Sequence, residues 1–266
     1  MTVLSLVQFN EGGARGVAAL DQTGAAKRVT GASSTRQLAL DAIAAGQGLA
    51  AFAAGKLGDT VDLSTVALLS PIDHEDAAHL LVAGTGLTHL GSAEGRDKMH
   101  KAATSGDLTD SMRMFLMGVE GGKPADDGIG AQPEWFYKGD GQILVDPGQD
   151  FTMPAFAEDG GEEPEVAGIY LIDADGTPVR LGFAIGNEFS DHITERGNYL
   201  WLAHSKLRQA SLGPELLLGD LPQDLRGTSR IVRNGETVWE KPFLSGETNM
   251  SHTIANLEHH HFKHGL

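Results

Sequence analysis

From Leu80 onward the chain is cut into short strand-like runs by glycine, proline and aspartate, and this texture limits the fold more than any other feature. The runs fall at residues 80–84, 134–137, 142–145, 166–172 and 179–185. Each has the length of a strand rather than a helix and is bounded by turn-forming residues. A chain punctuated in this way folds as a β-rich α+β protein, in two sheets or one rolled mixed sheet. Ahead of these runs, strand candidates at 3–9 and 17–20 lead into an alanine-rich segment at 34–54. There Leu38, Ala42, Ile43 and Leu49 recur at helical spacing, which predicts one helix. The expected organisation is a small α/β N-terminal domain over 1–70 and a main body over 71–266. The proline-marked segment 66–72 would serve as the linker. The glycine-rich stretch 118–130 reads as a loop, either mobile at an entrance or a plain connection.

Composition narrows the function classes. A formal charge of −16, with no Lys/Arg stripe interleaved with aromatics, argues against nucleic-acid binding. The chain has no cysteine, so any metal or nucleophile chemistry must come from Asp, Glu, His, Ser or Lys. The first nine residues lack a basic leader, and nowhere do about 18 apolar residues run together. A cytoplasmic protein with no membrane span is therefore expected. An acidic surface repels anionic substrates, so a substrate of that kind needs a local cation or metal to receive it.

The strongest chemical signal is Glu162-Glu163-Pro164-Glu165, which leads directly into the apolar run Val166 to Ile172. On a strand, residues two apart share a face, so Glu163 and Glu165 would project together. Adjacent carboxylates entering a buried strand repel unless a cation sits between them. Hard oxygen ligands favour Mg²⁺, Mn²⁺ or Ca²⁺ over zinc. Taken alone, the same residues also fit a solvated acidic loop before a strand.

Further blocks join this one. Glu163-Pro164-Glu165, the segment Gly182 to Ser190 with its Asn187-Glu188 pair, and Lys206 followed by Leu212-Gly213-Pro214 together resemble the fumarylacetoacetate hydrolase superfamily. The resemblance implies a fumarylacetoacetase-like mixed β-roll or sandwich. It also implies metal ligation by Glu163, Glu165 and Glu188, the last standing where relatives usually carry Asp. Lys206 would be the cation beside the metal, and Thr248 would contact substrate or cap the following helix. The block Gly84 to Met99, with Thr88, Ser92 and Arg96, resembles the branch of 2-keto-3-deoxy-pentonate dehydratases, as does Pro133 to Gly139 with Lys138. That branch implies Mg²⁺-dependent dehydration of a 2-keto-3-deoxy sugar acid to a 2,5-dioxo acid. Lys206 would be the base, or a metal-bound water in its place. Ser92 and Arg96 would position the substrate chain or assist the leaving hydroxyl, and Lys138, Thr248 and Thr88 would bind substrate. The alternatives are a C–C hydrolase of a 2,4-diketo acid, which needs a His and a Glu beside the metal, and an inactive member of the family. Relatives continue past the position of Leu266 with strands that close the active-site sheet, so the resemblance implies missing last strands. It also implies a homodimer or homotetramer.

Overall fold

The computed structural model describes residues 2–91, 109–125 and 128–265. The chain opens with strands β1 (Ser5–Glu11), β2 (Ala14–Leu20) and β3 (Ala26–Val29), helices α1 (Thr35–Ala44) and α2 (Leu49–Ala54), and strands β4 (Leu57–Thr60) and β5 (Ala67–Leu68). Strand β6 (Leu81–Gly84) precedes helix α3 (Asp110–Gly121) and strands β7 (Phe136–Asp140) and β8 (Leu144–Val145). Next come β9 (Pro164–Ile172), β10 (Pro178–Glu188) and two short helices, α4 (His192–Gly197) and α5 (Leu202–Lys206). Strands β11 (Ala210–Leu212), β12 (Glu215–Leu218), β13 (Leu225–Arg233) and β14 (Glu236–Ser245) lead to helix α6 (Ile254–Phe262). No helix among the described residues is long and apolar enough to cross a membrane.

These elements form two compact units, one from residues 1–82 and 137–221, the other from 83–136 and 222–266. In the first unit a ten-stranded sheet runs in the order β4-β3-β2-β1-β12-β10-β11-β8, with β5 added on β1 and β9 on β10. Its pairings are antiparallel except for β8 with β11. A two-residue turn, Gly12-Gly13, closes the β1–β2 hairpin, and both glycines have positive φ (59° and 91°), as such turns require. β1 is buried along five successive residues because it lies inside the sheet with both faces covered. Leu6 faces Val17, Leu38 and Ala53 on one side, and Val7 and Phe9 face Leu20 and Val61 on the other.

The division expected at residue 70 does not coincide with the boundary between these units. β1 pairs with β12 through Ser5↔Leu217 and Leu6↔Leu216, which makes the N-terminal strands part of the sheet that carries β9 and β10. The core follows the same route, since Ala39 of α1 packs with Ile169, Leu181, Ala184 and Leu216. The polar Gln8 holds the first segment in place. Its Oε1 accepts from the Thr35 backbone N–H at the start of α1 (2.7 Å), and its Nε2 donates to Ser70 O (2.5 Å).

The helix expected over 34–54 is two helices. Ser34 caps the first by accepting from Gln37 N, and Gly46, at φ 64°, ends it in a conformation that a side-chain-bearing residue resists. Gly48 then begins the second.

The second unit holds α3, the β13–β14 hairpin and α6. Asn234 (φ 52°) and Gly235 (φ 82°) make the hairpin turn, as the Asn-Gly pair predicts. The stretch 118–130 begins as the last turn of α3 rather than as a loop. Gly118 and Gly122 let Ser251 and His252 approach so closely that a Cβ at either would lie within 2.7 Å of the His252 ring. Asn256 continues this contact by accepting from Gly130 N (2.8 Å) and donating to Ala131 O (2.8 Å). Thr253, not Thr248, caps α6, accepting from Asn256 N at 3.1 Å.

Candidate metal centre

The site is built in the first unit where β9 and β10 run side by side. Gly186 pairs with Glu165 and Asn187 with Pro164, and the ladder extends one step further through Glu188 N donating to Glu163 O (2.8 Å). Asn187 Oδ1 accepts from Glu163 N (3.2 Å), so the backbone carrying the first carboxylate is fixed at both of its polar groups. This register brings one carboxylate oxygen each from Glu163, Glu165 and Glu188 within 4.8 Å of one another. The additional methylene of Glu188 relative to Asp does not carry its carboxylate away from the other two.

Two buried lysines stand against this cluster. Lys206, at the end of α5 and 2% exposed, donates to both oxygens of Glu163 (2.6 and 2.8 Å) and to Ser190 Oγ (3.3 Å). Its Nζ lies 3.7 Å from Glu188 Oε1 and 3.8 Å from Glu195 Oε2. Lys138, in β7, donates to the carbonyls of Phe189 and Lys206 (both 2.8 Å) and lies 3.6 Å from Glu188 Oε1. The mainly backbone anchoring of Lys138 makes it a brace between the end of β10 and the end of α5, as well as a nearby charge.

Burial and neighbouring charge displace all three carboxyls from their ordinary range. Burial, followed by the charges of Glu188 and Glu163, pushes the Glu165 carboxyl up to about 8. Burial also raises Glu188, to about 6, against the downward pull of Lys206. Burial would raise Glu163 as well, but hydrogen bonds from His192 and Lys206 outweigh it and hold this carboxyl down at about 2. Lys138 is lowered by burial to about 8. Lys206, despite its burial, is raised by the neighbouring Glu163 and Glu188 charges. Glu188 Oε1 is buried without a hydrogen-bond partner, although both ammonium groups lie within 3.7 Å of it. Three hard carboxylates, one with an orphaned buried oxygen and two held above their ordinary range, fit a divalent cation that takes oxygen ligands.

Of the residues singled out by sequence, Glu163, Glu165, Glu188, Lys138 and Lys206 gather here. Thr88 and Thr248 belong to the second unit. Thr88 is buried there, its carbonyl accepting from Ser251 N (2.8 Å), and Thr248 is exposed in a short turn, its N–H donating to Gln223 O (2.9 Å). Ser92 and Arg96 lie outside the described residues. Sequence reasoning missed His192, whose Nε2 lies 2.8 Å from Glu163 Oε1, and Asp191, the buried cap of α4. The available signal was Ser190-Asp191 directly after the Asn187-Glu188 block, a helix-start pattern that places the next side chain beside the carboxylates.

No protein-family model matches the chain, and no curated protein matches it by sequence. Solved structures do match. The 2-keto-3-deoxy-D-arabinonate dehydratase in its apo form superposes with a TM-score of 0.67 at 19% identity, over 97% of this chain and 82% of that one. A form of that enzyme complexed with magnesium and 2,5-dioxopentanoate gives 0.65 at 18% identity, over 96% and 81%. A fumarylacetoacetate hydrolase from the psychrophile Exiguobacterium antarcticum gives 0.56 at 17% identity, over 96% and 79%. A ten-stranded sheet that carries its acidic cluster on two adjacent strands thus gives this chain the fold shared by 2-keto-3-deoxy-D-arabinonate dehydratase and the fumarylacetoacetate hydrolases.

Proposed function

We propose that this protein is a metal-dependent lyase that dehydrates a 2-keto-3-deoxy sugar acid, a pentonate, to the corresponding 2,5-dioxo acid. The observation that carries the reading is the cluster of Glu163, Glu165 and Glu188 flanked by two buried ammonium groups. It provides both parts that an acidic protein needs to accept an anionic keto acid, a metal-binding face and fixed positive charge. The three glutamates would hold Mg²⁺, with Mn²⁺ or Ca²⁺ as substitutes. When bound, the ion supplies Lewis-acid stabilisation of negative charge on the 2-keto oxygen.

The chain's own groups account for the remaining demands. Loss of the C3 proton and of the C4 hydroxyl, as water, leaves a 3,4-unsaturated keto acid, and tautomerisation of its C5 carbinol gives the terminal aldehyde. Lys206, whose ammonium is kept charged by Glu163 and Glu188, suits electrostatic attraction of the substrate carboxylate better than proton abstraction. Lys138, closer to neutrality because it is buried, is the better matched of the two lysines to proton transfer, and its Nζ faces Glu188. Thr88, Ser92, Arg96 and Thr248 are proposed to orient the sugar hydroxyls, as the resemblance of their blocks implies.

A second reading is supported by His192, since a His paired with one of the three clustered glutamates, Glu163, supplies the His and Glu beside a metal that hydrolysis of a 2,4-diketo acid calls for. One assay separates the two. Mg²⁺-dependent turnover is followed on racemic 2-keto-3-deoxy-pentonate and on a 2,4-diketo acid, measuring semialdehyde and pyruvate separately. Semialdehyde that is lost in Glu165→Gln supports dehydration. Pyruvate assigns hydrolysis, and no product from either refutes both.

A further inference from the structure

His192 is absent from every motif that drew attention to this site, yet it is built into it as carefully as the carboxylates. Its ring reaches Glu163 Oε1 through Nε2 at 2.8 Å, and its Nδ1 lies 3.7 Å from Asp159 Oδ2. The backbone around it is pinned by Asp191, which is fully buried. Asp191 Oδ1 accepts from Thr194 N (2.9 Å), and Oδ2 accepts from Glu158 N (2.9 Å) and Arg208 Nη2 (3.2 Å). Opposite the ring lies Gly161, whose N–H and C=O both bond Ser190 at 2.9 Å. A Cβ at Gly161 would sit 2.3 Å from His192 Cε1 and Nδ1, so the ring can occupy this place only against a glycine. Two independent features, a capped helix start and a missing side chain, therefore aim the same imidazole at the same oxygen.

The consequence lies in how Glu163 is presented. Among the described residues Oε1 receives two donors, His192 Nε2 and Lys206 Nζ, whereas Oε2 receives one, Lys206 Nζ. Oε1 thus carries one donor more than Oε2, which leaves Oε2 the more available of the two to a cation. Small Mg²⁺ uses single oxygens in a strict octahedron, whereas larger Ca²⁺ readily takes both oxygens of a carboxylate in a looser shell. Groups that orient a metal ligand in this way change affinity by roughly 10–100-fold when removed.

We propose that His192, seated against Gly161, is a positioning residue that restricts Glu163 to one-oxygen ligation and thereby makes the site discriminate in favour of a small divalent cation over Ca²⁺. This rests on the metal-dependent reading above. The test is calorimetric titration of the whole chain with Mg²⁺ and, separately, with Ca²⁺, together with a thermal melt of each metal-free variant. His192→Ala should weaken Mg²⁺ binding by about tenfold while changing Ca²⁺ binding by less than about threefold, so that the ratio of the two affinities collapses. His192→Gln, which keeps an N–H donor, should restore most of the ratio. Gly161→Ala, which leaves His192 in place but displaces its ring, should behave like His192→Ala. A merely structural role would lower the melting temperature and weaken both ions in parallel, and that result overturns the proposal. So does an unchanged ratio in His192→Ala with normal Mg²⁺ binding. Absence of binding of either ion to the unsubstituted chain would instead refute the metal-dependent reading itself, and the proposal with it.

Discussion

Replacing Glu165 by Gln should stabilise the metal-free protein at alkaline pH while abolishing its response to metal. Burial and two neighbouring carboxylates raise the Glu165 carboxyl from 4.5 to about 8. A carboxyl raised in the folded state costs nothing below its unfolded value, where it is protonated in both states. Its cost grows as pH rises from 4.5 and is complete above about 8, where the folded protein must carry the charge. At about 1.4 kcal/mol per pKa unit the full shift corresponds to roughly 5 kcal/mol. Residual solvent access at this partly buried side chain makes about 2–3 kcal/mol the working expectation. For a chain of this size each kcal/mol moves Tm by about 2–4 °C, so Glu165→Gln should melt roughly 5–10 °C higher than the parent at pH 8.5 in chelator. The gap should close towards pH 4.5. With Mg²⁺ at about a hundred times Kd the parent should gain about 2.7 kcal/mol and the variant little. Thermal melts by circular dichroism across pH, with and without Mg²⁺, would decide the matter. A variant that melts at or below the parent at pH 8.5 without metal, or a gap independent of pH, would refute the electrostatic account of the cluster.

Two predictions concern packing within each unit. Leu216 is fully buried among Ile169, Leu181 and Ala184, so Leu216→Ala should cost about 2–5 kcal/mol in urea unfolding, and a cost under about 1 kcal/mol would mean that this core closes over the cavity. In the second unit Gly246 has φ 80°, and a Cβ there would lie 2.5 Å from the carbonyl oxygens of Pro222 and Gln223. Gly246→Ala should therefore cost roughly 1–3 kcal/mol and raise amide exchange over 222–250, whereas unchanged exchange there would contradict the close approach.

Local rules made much of the sheet legible. The strand runs at 166–172 and 179–185 fall within β9 and β10, and Asn234-Gly235 makes its turn, because apolar runs bounded by turn residues and an Asn-Gly pair act over a few residues. The single helix expected over 34–54 failed for an equally local reason, as Gly46 and Gly48 break an apolar spacing that otherwise continues through both helices. Of the stretch 118–130, residues 118–121 are the last turn of α3 rather than loop, because glycines read as loop residues in sequence even where they serve packing. Two of them are there to admit the Ser251–His252 backbone and ring, a contact more than 120 positions away in the chain.

The sequence by itself determined the β-rich class, the acidic pair Glu163 and Glu165 on one strand face, and, through resemblance of its blocks, the recruitment of Glu188, Lys138 and Lys206. Only the tertiary structure decided the register that lets Glu188 N bond Glu163 O, the pairing of β1 with β12 that places the N-terminal strands in the same sheet, and the seat of His192 against Gly161. The physical reason is that patterning and motif chemistry are properties of neighbours along the chain. Register, burial and the choice of which donor claims which carboxylate oxygen depend on distant segments packed against one another, and no single segment encodes them.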